Sequence, residues 1–162
     1  MFSSIRHFQE IWVSESDATL QCLRMITNES LQTTSFGDYR NIKRMVNHII
    51  ACVDGIPWEA GLPVDFQKQE YHTVEAMINA YTEATKRVSH AIHQWSDATL
   101  QEETPMYGES WKKGFALWVT VTHQIHHRGQ LTTLMRMAGL QVPGIYGPNQ
   151  EEWIAYNLPP AD

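Results

Sequence analysis

A run of sequence from Trp111 to Met137 contains no proline and repeats apolar residues every three or four positions. That period marks one long amphipathic helix. The run carries Thr122-His123-Gln124-Ile125-His126-His127-Arg128-Gly129-Gln130. His123 and His127 are four apart, so on a helix they project roughly 40° apart around the axis. Two imidazoles one turn apart can both reach one metal ion, as in the HExxH zinc helix. Gln124 stands where that motif has its glutamate, so the pair lacks a built-in general base and needs a third ligand from elsewhere. An HxxxH pair also arises by chance, and His123 and His126, three apart, share a face as well. The run is apolar on two sides, which points to the central helix of a bundle. Neighbouring histidines in such an interior need partners, and a metal ion supplies them.

The 162 residues suit one domain over 1–162 with a real core. The net charge of −6 and a pI near 5.7, with no basic block or stripe, argue against a nucleic-acid surface or an anionic membrane as partner. Cys22 and Cys52 are too few for a disulfide framework and read as reduced thiols in a cytoplasmic protein. Met1 to His7 lacks the apolar core of a signal peptide, and no run approaches the roughly 18 apolar residues of a membrane span.

Three more helices precede the histidine run. Ser3 or Ser4 can cap the first, whose stripe runs through Phe8, Ile11, Trp12, Leu23 and Ile26. Thr27 to Asp38 is polar and reads as a loop. A second helix starts near Asp38 and runs to Val53, with Gly55 and Pro57 as its stop. His48 lies inside it and by itself reads as a core histidine, with ligation the alternative. Cys52 is one turn on, on the same face, a pocket-lining thiol or a weaker candidate ligand. Ile56 to His72 is a long connection of the kind that forms lids or pocket walls. Thr73 caps a third helix that reaches Trp95, with His90 and His93 facing solvent near its end. Asp97 to Ser110 is a second connection, and Ser110 can cap the fourth helix, which ends at Gly139. The tail is a strap, Pro143 to Pro148, followed by a short helical turn around Glu151 to Tyr156. No strand-like alternation competes with these helices. Four helical patterns without strands imply an all-α four-helix bundle, and the long connections allow a non-sequential arrangement.

His48, then HxxxH about 75 residues later, then Arg128-Gly129-Gln130-Leu131, then a closing Leu134-x-Arg136-x-x-Gly139, occur in that order. This combination resembles the DinB/YfiT-like superfamily over nearly the whole chain. The resemblance implies a four-helix bundle, dimeric as a rule, with a divalent metal at one end, held by one histidine of the second helix and two of the fourth. Carried over, these are His48, His123 and His127, with His126 left to pack or hydrogen-bond. It further implies nickel or zinc as the ion, a small-molecule substrate, and a low-molecular-weight thiol such as bacillithiol as cosubstrate of an S-transferase. Three neutral imidazoles leave the ion open positions, the pattern of catalytic sites. A non-catalytic metal-binding or stress-response protein and a metal-dependent hydrolase are the competing readings. Catalytic residues beyond the ligands are not read from the sequence.

Overall fold

The computed structural model describes residues 1–33 and 40–159. Helix α1 spans Ile5–Arg24, α2 Ile42–Glu59, α3 Val74–Ala91 and α4 Lys113–Met137. Polar side chains start the first three: Ser4, Asn41 and Thr73 accept from the backbone N–H of His7, Arg44 and Ala76. The second helix's expected start near Asp38 lies outside the described residues. Between α1 and α2, Ser30–Gln32 form a short 3₁₀ turn inside the expected loop.

The expected stop of α2 at Gly55 and Pro57 is not where the helix ends. Pro57 lacks an N–H and removes one ladder bond, but it sits in the last turn, where the helix tolerates the loss and runs on to Glu59. The stop is Gly61, at φ 85°, with Gly61 N donating to Trp58 O and Leu62 N to Pro57 O, both at 2.9 Å. This is a Schellman cap. Gly55 has a different use. A Cβ there would lie 3.1 Å from the ring of Phe66, so the missing side chain lets the connecting segment pack onto α2.

The second connection also differs from expectation. Residues Glu103–Met106 (β1) and Glu109–Lys112 (β2) pair as an antiparallel hairpin. Its tip, Tyr107-Gly108, has φ of 52° and 86°, the paired positive values of a type I′ turn. Each strand has four residues and Met106 alone is buried among them, so no alternation was available to read. Ser110 therefore does not cap α4. It lies in β2, donates to Glu103, and α4 begins at Lys113 without a side-chain cap. The tail forms α5, Gln150–Ala155, begun by a capping box of Asn149 and Glu152.

Helix α4 packs against α2 and α1, and α3 against the same two. Sequence neighbours α1 and α2 thus sit diagonally, the non-sequential order that a long connection permits. The core joins Phe8, Trp12 and Leu23 of α1 to Met45, Ile49 and Val53 of α2, Met77 and Tyr81 of α3, and Leu117, Val121 and Leu131 of α4. Helix α4 is a corner rather than the centre. One face is buried, whereas Phe115 and Trp118 on the other are stacked at 5.7 Å, with Trp118 exposed. No helix among the described residues is long and apolar enough to cross a membrane.

Candidate metal centre

The contact of α2 with α4 sets the site. Met45, Val46, Ile49 and Ile50 bury one side of α2, and His48 emerges between them, half-buried and facing α4. From α4, His123 and His127 meet it. The Nε2 of His127 lies 3.0 Å from His48 Nε2 and 3.2 Å from His123 Nε2. His48 of α2 and a pair one turn apart on α4 thus bring three imidazoles together at one point.

The protonation of His127 follows from its neighbour. Its Nδ1 donates to Gln130 Oε1 at 2.7 Å, which leaves Nε2 as a bare lone pair. The amide of Gln130 in turn donates to His126 Nε2 at 3.0 Å. His126 is exposed, with its ring edge-on to that of His127 at 4.9 Å and its Nε2 taken up by Gln130. His123 Nδ1 is buried with no hydrogen-bond partner among the described residues. His90 and His93 are exposed at the far end of α3, His93 lying 3.4 Å from Gln9 Nε2.

Burial disfavours the charged imidazole. Desolvation, followed by the positive charge of Arg40, pushes His48 down to about 4. Desolvation and the neighbouring His127 push His123 down to about 4 as well. His127 is also lowered by burial, against the opposing bond to Gln130. All three rings are therefore neutral near pH 7, the form that can donate a lone pair.

Cys52, one turn beyond His48, places Sγ 3.7 Å from His48 Nε2. Ligand atoms of His48, Cys52 and His123 all lie within 4.8 Å of one another. Burial pushes the Cys52 thiol up to about 11, against the pull of Arg40 and Lys68. His48 and Cys52 line a cleft of about 930 Å³. Its far wall is the connection after α2, as its length suggested. Asn47 pins that segment by accepting from Tyr71 N at 2.7 Å and donating to Tyr71 O at 3.0 Å. Phe66 and Trp58, 5.5 Å apart, and Tyr107 from the hairpin tip complete the wall.

The sequence reading missed what Arg128 does. Arg128 is buried and turned about 100° around α4 from His127, toward α1, where it donates to Glu15 Oε2 at 2.6 Å and to Glu15 O at 3.0 Å. Tyr146 of the tail strap donates to the same carboxylate at 2.7 Å. The available signal was Glu15 itself, a charge spaced between Trp12 and Thr19 on the buried face of α1.

A sequence profile of the DinB family matches residues 1–159. The chain belongs to the DinB family. Within it, the chain is 36% identical over 162 residues to YrdA of Bacillus subtilis (strain 168), described as an uncharacterized protein, covering 98% of this chain and 97% of that one. A DinB-like protein of Bacillus cereus ATCC 10987 superimposes with a TM-score of 0.85 at 28% identity, over 90% of this chain and all of that one. The DinB-like protein YjoA of Bacillus subtilis shares the fold alone, with a TM-score of 0.72 at 17% identity, over 88% of this chain and 99% of that one.

Proposed function

We propose that His48, His123 and His127 hold one divalent metal ion, nickel or zinc, and that the protein is a metal-dependent enzyme that activates a thiol. The observation that carries this reading is the convergence of three ring nitrogens, one of them on His48, which lines a large cleft. The donor set fits an ion. A bare lone pair on His127 Nε2, 3.0 and 3.2 Å from two more ring nitrogens, is stable only with a proton or a cation among them. Two imidazole nitrogens bound tetrahedrally to zinc lie about 3.3 Å apart, given Zn–N bonds of about 2.0–2.1 Å. Gln130 acts as the outer partner that fixes the tautomer and orientation of His127.

A divalent ion with open positions lowers the pKa of a bound thiol or water to near neutrality. The chain's own contribution is to place the cleft beside those positions, with Phe66, Trp58 and Tyr107 as aromatic lining. The most specific form of the reading is an S-transferase using a low-molecular-weight thiol of the bacillithiol type and a small electrophilic substrate, in the cytoplasm. A peptidase-like hydrolase is less well supported. Gln124 occupies the glutamate position of HExxH, and its Oε1 accepts from Tyr81 OH at 2.6 Å, in the core and away from the cleft. A non-catalytic metal-binding protein is the remaining alternative.

Elemental analysis of wild type against a His123→Ala, His127→Ala double variant tests the ion. We expect about one equivalent in the first and none in the second, and equal content would end the reading. Consumption of bacillithiol with an epoxide or chloroaromatic then separates the transferase from a protein that only holds metal. A homodimer is part of the same proposal, supported by the stacked, outward Phe115 and Trp118. Light scattering near the 18.7 kDa of one chain would refute it.

A further inference from the structure

The two helices that meet at the histidines each present a pair of donor groups one turn apart. On α4 they are His123 and His127, and on α2 they are His48 and Cys52. Residues four apart share a helix face, so two facing pairs bring four ligand groups to one point between the helices. The ligand set implied by the family resemblance leaves Cys52 out, yet the geometry draws it in. Its Sγ lies 3.7 Å from His48 Nε2 and 3.8 Å from Nδ1, nearly equidistant, so neither nitrogen is singled out as a hydrogen-bond acceptor. A zinc ion held tetrahedrally by a thiolate at about 2.3 Å and an imidazole at about 2.0–2.1 Å separates sulfur from nitrogen by about 3.6 Å. The 3.7 Å edge to Nε2 fits that figure. Ligand atoms of Cys52, His48 and His123 also lie within 4.8 Å of one another. A second observation points to the same place. His127, only 6% exposed, turns the bare lone pair of its Nε2 toward His48 and His123. From behind, Cys52 packs against the small apolar cluster of Ile56, Ala60, Met106 and Ala116, which offers the thiol no strong hydrogen-bond partner.

We propose that Cys52 is a fourth protein ligand, binding the divalent ion as a thiolate alongside His48, His123 and His127. This rests on the metal reading above and changes the resting state of the site. As the sulfur–metal bond forms, the thiol proton leaves to solvent, and nothing is oxidised or reduced. Four protein ligands close a zinc ion at rest, so a further group enters only by displacing one of them or by expanding the coordination.

Cobalt(II) is the probe, loaded in buffer free of added thiol. A thiolate on cobalt gives an intense sulfur-to-metal charge-transfer band in the near ultraviolet, which imidazole ligands do not. Cys22, buried in the core on α1, serves as the control. We expect the band in the wild type and in Cys22→Ser, and its loss in Cys52→Ser. Cobalt should still bind Cys52→Ser through the three histidines, about tenfold more weakly, equivalent to about 1.4 kcal/mol. A second measurement uses the unaltered chain, so it does not depend on how a variant folds. Zinc should slow alkylation of Cys52 by iodoacetamide severalfold, read by mass spectrometry, and a chelator should restore the rate. Cobalt bound to the wild type without the band, or a band that survives in Cys52→Ser, overturns the inference and leaves the three-histidine reading standing. Equal alkylation of Cys52 with and without zinc overturns it as well. Absence of bound cobalt from the wild type removes the metal reading and this inference with it.

Discussion

Arg128 and His127 are neighbours in sequence and enter two polar clusters on different sides of α4. Around Arg128, donors and acceptors match. Its guanidinium donates to Glu15 O, Glu15 Oε2, Thr19 Oγ1 and Tyr146 OH. The carboxylate, the cation and the phenol answer one another, and the ring of Tyr146 covers the guanidinium at 5.3 Å. Around His127 they do not match. Three ring nitrogens crowd one point, burial holds all three rings neutral, and His123 Nδ1 has no partner among the described residues. A saturated buried network is what a structural knot requires, because each unmatched group there costs stability. An under-saturated one that opens on a cleft is a place built for something else to complete.

Breaking the knot should have the largest effect. Arg128→Met leaves Glu15 buried without its cation and should cost about 3–5 kcal/mol in urea unfolding. Adding Glu15→Leu should recover most of that loss. A cost below about 1 kcal/mol for Arg128→Met would mean the pair behaves as a surface bridge and the contrast is wrong. Emptying the other cluster comes next. Chelation at pH 7.5 should lower stability by about 2.7 kcal/mol for an ion present at 100 times its Kd. His48→Ala should abolish that difference by removing the link between α2 and α4, and a chelator effect that persists in it would show the ion lies elsewhere.

The metal-free protein should also reveal the histidine cluster by its pH dependence. His48 and His123 take a proton near pH 4 when folded, against 6.5 for the ordinary imidazole. The unfolded chain therefore binds protons first, and stability falls as pH drops from about 6.5 to about 4. Urea midpoints across that range should decline less in a His48→Asn, His123→Asn variant. Identical slopes would mean that these rings are not held neutral by the fold. Smaller again is Tyr146→Phe, which keeps the ring over Arg128 and loses one hydroxyl, for about 0.5–1.5 kcal/mol in the same assay. Smallest is His126→Ala. It should change metal content not at all, and a loss of metal there would exchange its role with that of His127.

Much of this was legible in the residues because it depends on local periodicity. The apolar stripes of α1 to α4 follow from a 3.6-residue repeat, and Thr73 and Gly139 mark helix ends by rules that act within one turn. The DinB resemblance turned the ambiguity between His126 and His127 into a definite expectation; in the structure His127 is buried and His126 exposed. Pro57 was misread as a stop because proline's effect depends on how many ladder bonds remain beyond it. The hairpin was missed because strands of four residues, with Met106 alone buried, leave no alternation to detect.

The sequence by itself determined the helices, the family and the residue types available at the site, since these rest on patterns within a few turns of chain. Only the tertiary structure decided which groups meet. The α2–α4 contact brings His48 within 3.0 Å of His127. The folding of the 62–73 segment onto Gly55 adds Lys68 to the same cleft as Arg44. Glu15, Arg128 and Tyr146 come from α1, α4 and the tail, more than 100 residues apart at the extremes, to make one buried knot. Such meetings have no local signature. They are set by how whole helices pack, and a polar group shows its purpose only when its partners, or the lack of them, are in view.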